Sequence, residues 1–135
     1  MPDTIHQFRR TPTWCASILA MTLAACSGST EPLTPCSGAI TPHVDTGTQP
    51  RFTWSPRCGV AEIEVMAPPS NGGTTEMWHL VGDGGLIGPG VRYGGQPSGT
   101  RTDTPATPVT RGTDYAVFFT VQSPHSVVGS LSWTP

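Results

Sequence analysis

Glycine and proline recur so often along this chain that little room remains for a helix. The 135 residues include 16 Gly and 15 Pro. Pro32, Pro35, Gly38, Pro42, Gly47, Pro50, Pro56, Gly59, Pro68, Pro69, Gly72 and Gly73 divide the stretch that follows Cys26 into pieces shorter than about ten residues. Proline removes a helix-interior donor, and glycine weakens a helix interior by about 1 kcal/mol relative to alanine. After Cys26 no window keeps apolar residues at i, i+3, i+4 and i+7 over three turns. Short apolar runs bounded by turn residues predict an all-β domain.

The runs themselves alternate. "VAEIEVM" (60–66) has the cleanest pattern: Ala61, Ile63 and Val65 share one face, and Glu62 and Glu64 point to water on the other. "RFTW" (51–54) puts Phe52 and Trp54 together. "DYAVFFTV" (114–121) does the same for Tyr115, Val117, Phe119 and Val121, with Phe118 on the opposite face. "SVVGSLSW" (126–133) aligns Leu131 with Trp133 as a last strand. "AITPHV" (39–44) is expected at a sheet edge because of Pro42. "MWHLVG" (77–82) and "GVRYG" (90–94) are weaker candidates. About seven strands with turns between them predict an immunoglobulin-like β-sandwich over residues 38–135. The stretch 67–108 is glycine-rich and has no clear register. Within it, "GDGGLIGPG" (82–90) reads as a flexible loop: Ile87 stands where a dinucleotide fingerprint needs its third glycine, and the aspartates of a calcium loop are missing.

The N-terminal residues carry a separate signal. Arg9 and Arg10 precede the uncharged run "WCASILAMTLAA" from Trp14 to Ala25. As a helix that run extends about 18 Å, short of a bilayer core of about 30 Å. A positive start, a short apolar centre and a small-residue exit describe an export signal over 1–25. The exit "LAAC" (23–26) resembles the lipobox of bacterial lipoproteins. That resemblance implies diacylglycerol on the Cys26 thiol, cleavage before Cys26 and acylation of the new amino group. Ser27 in place of Asp implies sorting to the outer membrane where the source has one. Residues 26–37 then form the lipidated cysteine and a polar, proline-containing flexible tether.

Cysteine arithmetic agrees. Of Cys15, Cys26, Cys36 and Cys58, the first is lost with the signal and the second is lipidated, which leaves an even pair suited to one disulfide in an oxidising compartment. Two free thiols are the alternative. Beyond Cys26 the chain has five arginines, no lysine and eight carboxylates, for a net charge near −3. Weak acidity without clustered cations argues against nucleic-acid binding.

"FTWSPRCGVAEIEV" and "PVTRGTDYAVFFTV" resemble two segments of fibronectin type III domains: the second and third strands, and the approach to the sixth. The resemblance implies that Trp54 is the core tryptophan. It implies that Tyr115 is a corner tyrosine whose hydroxyl bonds to nearby backbone, and that Val109 stands where leucine is usual. Cys36 and Cys58 would then join the start of the first strand to the loop before the third.

No catalytic constellation stands out. His43, His79 and His125 have no metal-ligand spacing, and no G-x-S-x-G surrounds a serine. The sequence predicts a non-catalytic module without cofactor or metal. It would be held to the membrane by its lipid and would bind an envelope protein or a glycan. Loops and exposed aromatics are where such a surface is expected. Phe118, beside Glu62 and Glu64, is a candidate contact. Trp78 and Tyr93 are candidates for stacking on sugar or peptide, or else core residues.

Overall fold

In a computed structural model the structure describes residues 31–70 and 73–135; the expected signal 1–25, the lipidation site Cys26 and the start of the tether lie outside the described residues. Eight strands make up the domain, one more than the sequence predicts: β1 (Thr41–Val44), β2 (Arg51–Ser55), β3 (Glu62–Ser70), β4 (Gly73–Gly82), β5 (Val91–Arg92), β6 (Thr100–Thr104), β7 (Tyr115–Gln122) and β8 (His125–Trp133). They form two antiparallel sheets, ordered β1-β2-β5 and β6-β4-β3-β7-β8. The described residues contain no helix. This is the expected β-sandwich.

Period-two alternation decides which side chains meet between the sheets. Phe52 and Trp54 of β2, Ile63 and Val65 of β3, and Tyr115, Val117, Phe119 and Val121 of β7 are all buried. β3 and β7 are in register, with Ile63 opposite Phe119 and Val65 opposite Val117, so their apolar faces coincide. β4 contributes Trp78 and Leu80, both fully buried. A bulge at Met77 lets β4 follow β3 past Val65. Rings interlock across the interior. Phe52 lies 6.2 Å from Trp78, 6.4 Å from Phe119 and 5.5 Å from Trp133. Trp54 is 5.2 Å from Phe119 and Tyr93 is 5.5 Å from Trp78.

The strand that sequence reasoning misses is β6. "TRTDT" has no apolar residue to alternate, and only Thr100 is buried. It forms because the outer edge of β4 is open to backbone pairing. The glycine-rich loop 82–90 is also more fixed than expected. Ile87 is 1% exposed and exchanges both backbone bonds with Val60 (2.8 and 3.0 Å), so the loop plugs the core.

The body begins before residue 38. Gly59 donates to the Thr34 carbonyl (2.8 Å) and the Cys36 N–H donates to the Gly59 carbonyl (2.9 Å). Cys36 and Cys58 are joined by a disulfide across a sequence separation of 22. Further along, the Ile40 N–H donates to the Val128 carbonyl (2.9 Å), which ties the approach to β1 onto edge strand β8. Gly129 permits that approach, because a Cβ there would fall 2.5 Å from Ile40 Cγ1.

Closing a loop of this length stabilises the fold by about 3 kcal/mol in the chain-entropy account. Replacing Cys36 and Cys58 together by serine should lower the free energy of unfolding by about that amount, read from urea denaturation followed by tryptophan fluorescence.

Candidate functional site

The sequence-selected aromatics separate into two groups. Trp78 is fully buried and Tyr93 is 7% exposed. Neither offers a face for stacking on sugar or peptide, so the structure corrects that reading and assigns both to the core. The Tyr93 hydroxyl donates to the Thr107 carbonyl (2.7 Å) and lies 3.2 Å from the Met77 carbonyl, holding the loop after β6 against β4. Burial pushes this hydroxyl's pKa up to about 12. Trp78 Nε1 finds no hydrogen-bond partner among the described residues. Tyr115 is buried, and its hydroxyl accepts the Thr110 N–H at 2.9 Å, so the backbone bond expected of a corner tyrosine is present.

Phe118 is different. It lies on the outer face of the five-stranded sheet, directly across from Glu64 on β3, and is half-buried. It lines a groove of about 540 Å³. The floor is Met66, Ala116 and Phe118. Ala67, Pro68, Pro69 and Thr74 of the β3–β4 arm and Val127 and Ser132 of β8 also line the groove. Val127, 58% exposed, is the exposed large hydrophobic residue of the described chain. Asp114, Tyr115 and Glu64 complete the lining, so among the described residues it carries two carboxylates and no cationic side chain.

Next to the groove the same face gathers polar groups that are scattered in the sequence. Glu62 Oε2 lies 3.6 Å from His79 Nε2 and 3.7 Å from His125 Nε2. His79 Nδ1 lies 3.8 Å from Glu76 Oε2. Glu76 also accepts the Thr104 hydroxyl. Glu64 is held above the ordinary carboxylate range, first by burial and then by a hydrogen bond and like charge from Glu76. Further out, Arg101 forks onto Asp103 (2.8 and 3.3 Å), and the bond lowers the Asp103 pKa. The alternation identifies Glu62 and Glu64 as outward-facing, but their partners Glu76 and His79 come from β4, and only strand pairing brings them together. Among the described residues no group of three or more His, Cys, Asp or Glu is arranged to hold a metal ion.

Comparison with protein-family models, with curated proteins and with solved structures finds no match.

Two outcomes follow. Trp78→Ala should cost about 3–5 kcal/mol, as for a fully buried large aromatic, in a urea melt. Glu64 gives a pH signature. Its folded pKa is raised, so its contribution to stability is whole below the ordinary carboxylate range and is lost as pH rises through the folded value. Glu64→Gln should remove that loss. Melting temperature should then fall less as the pH is raised from below the ordinary carboxylate range to above it, and above that range the variant should match or exceed the parent.

Proposed function

We propose that the chain is a lipid-anchored extracytoplasmic lipoprotein. Its sandwich serves as a non-catalytic binding module and makes contact through the outer face of the five-stranded sheet. The observation that carries the binding role is the groove around Phe118: a largely apolar lining that includes a half-buried aromatic on the outer face of the five-stranded sheet. Sites for small ligands and peptides are commonly concave, apolar and ringed by a few polar groups.

The anchor and location rest on other features. "LAAC" (23–26) supports lipidation of Cys26. The Cys36–Cys58 disulfide suits an oxidising space outside the cytoplasm, and so supports export to the cell envelope. Buried Trp54, the Thr110–Tyr115 bond and the pairing of β1-β2-β5 against a sheet containing β4-β3-β7-β8 favour kinship with fibronectin type III domains. With Trp78 and Tyr93 in the core, the glycan reading loses the residues that suggested it.

Two measurements test this reading. Mass spectrometry of the exported chain should show an N-terminal peptide beginning at Cys26 with a lipid-sized increment; an unmodified Cys26 removes the anchor. A photoreactive phenylalanine analogue at position 118 should form a discrete adduct with a cell-envelope component. The same analogue at His43, exposed on the three-stranded sheet, should not. Adducts of equal yield at both positions, or at neither, would count against the outer face as the contact surface.

A further inference from the structure

The groove has a length and a charge pattern, and together they specify an occupant. Asp114, Ala116 and Phe118 follow one another on the outer side of β7 and its approach, and all three line the groove. Phe118 is in register with Glu64. An extended chain advances about 3.3 Å per residue, so the step from Asp114 to the Phe118–Glu64 pair is roughly 13 Å. The groove therefore has a carboxylate at each end and an apolar floor between them.

An extended peptide has the same spacing. Side chains at positions i, i+2 and i+4 point to one side and cover the same distance of about 13 Å. Resting on the reading of this face as a contact surface, we propose that the groove binds an extended segment of a partner protein with the pattern basic–x–apolar–x–basic. The central apolar side chain sits on Met66 and Phe118, and the two cations meet Asp114 and Glu64.

Charge complementarity supports the assignment. No arginine lines the groove, the sequence beyond Cys26 has no lysine, and Arg101 on the same face is engaged by Asp103 and Asp83. Glu62 and Glu76 add negative charge beside Glu64. An incoming cation favours the ionised form of Glu64, which burial and Glu76 disfavour in the free protein. The strand edges favour binding by side chains over strand addition. Beyond Met66 the free edge of β3 carries Pro68 and Pro69, which have no N–H to donate.

The test uses the full-length chain extracted in mild detergent and fluorescently labelled heptapeptides with blocked ends. The probe is Ser-Lys-Ser-Leu-Ser-Lys-Ser. One control replaces both lysines by glutamate, a second replaces leucine by serine, and a third places the lysines side by side. Fluorescence anisotropy should show saturable binding of the probe that weakens with added salt, with each control at least about tenfold weaker, a difference of 1.4 kcal/mol. The double variant Glu64→Gln, Asp114→Asn and the variant Phe118→Ser should each weaken the probe at least about fivefold, and His43→Ala should leave it unchanged, with unaltered circular dichroism showing that each variant folds. Equal binding of the glutamate peptide, or undiminished binding by the Glu64→Gln, Asp114→Asn protein, overturns the proposal. If the probe fails to saturate while the position-118 analogue still forms its adduct in cells, the basic–apolar pattern is wrong and the contact surface stands. If both fail, the surface itself is wrong.

Discussion

Phe52 has no solvent-exposed surface and touches rings from three strands of the opposite sheet: Trp78 of β4, Phe119 of β7 and Trp133 of β8. β2 is the central strand of the smaller sheet, so this one side chain connects the three-stranded layer to most of the five-stranded one. Burying such a ring contributes about 1.5–3 kcal/mol, and well-oriented aromatic pairs add about 0.5–1.5 kcal/mol each. The remaining rings extend the contact in both directions, Trp54 toward the disulfide end and Tyr93 and Tyr115 toward the other. At the disulfide end, Trp54 Nε1 donates to the Cys58 carbonyl at 2.9 Å, which ties aromatic packing and covalent cross-link together.

This inner packing is what makes the outer face available for other uses. Because successive residues of a strand point to opposite sides, fixing Ile63, Val65, Val117 and Phe119 inward forces Glu62, Glu64, Ala116 and Phe118 outward. A register slip of one residue would exchange the two sets and put glutamates into the core, so the register is strongly specified. The groove and the carboxylate–histidine cluster are therefore consequences of the core: the Phe119–Ile63 pairing inside places Phe118 across from Glu64 outside.

The same logic explains how much was legible in the sequence. Strands with strict alternation, β2, β3, β7 and β8, can be read from their residues, because one face is buried and the pattern records it. Pro42 marks β1 as an edge, and the structure places it there. β6 leaves no such record: its pairing is carried by backbone groups, which every residue has. The core role of Ile87 is hidden for a similar reason, since one apolar residue among glycines has no period. Trp78 and Tyr93 were ambiguous because a large aromatic near irregular chain is equally compatible with a core and with a surface. Trp78 is buried because it pairs with Val65 and shares its inward face with Leu80, and Tyr93 because its ring packs on Trp78 and its hydroxyl reaches the Thr107 carbonyl, contacts that exist only once the strands have paired. For the outer face, the carboxylates of β3 could be named in advance, but their pairing with Glu76, His79 and His125 is a tertiary fact.

How the edges are managed bears on which surface can be used for recognition. Sandwich edges offer unpaired backbone that invites other strands. Here each edge carries a feature that limits it. β1 carries Pro42, β5 has two residues, β6 is polar with an Arg101–Asp103 fork, and β8 receives Ile40 against Val128 and Gly129. The β3 extension beyond β7 carries two prolines, Pro68 and Pro69. Recognition by main-chain pairing is thus suppressed around the perimeter, so selectivity falls to side chains presented on a face. On that face apolar area alone would attract hydrophobic partners without discrimination. Carboxylates at both ends of the groove restrict it, because an apolar segment that desolvates Glu64 and Asp114 without bringing a cation to them forfeits energy it gains from Phe118.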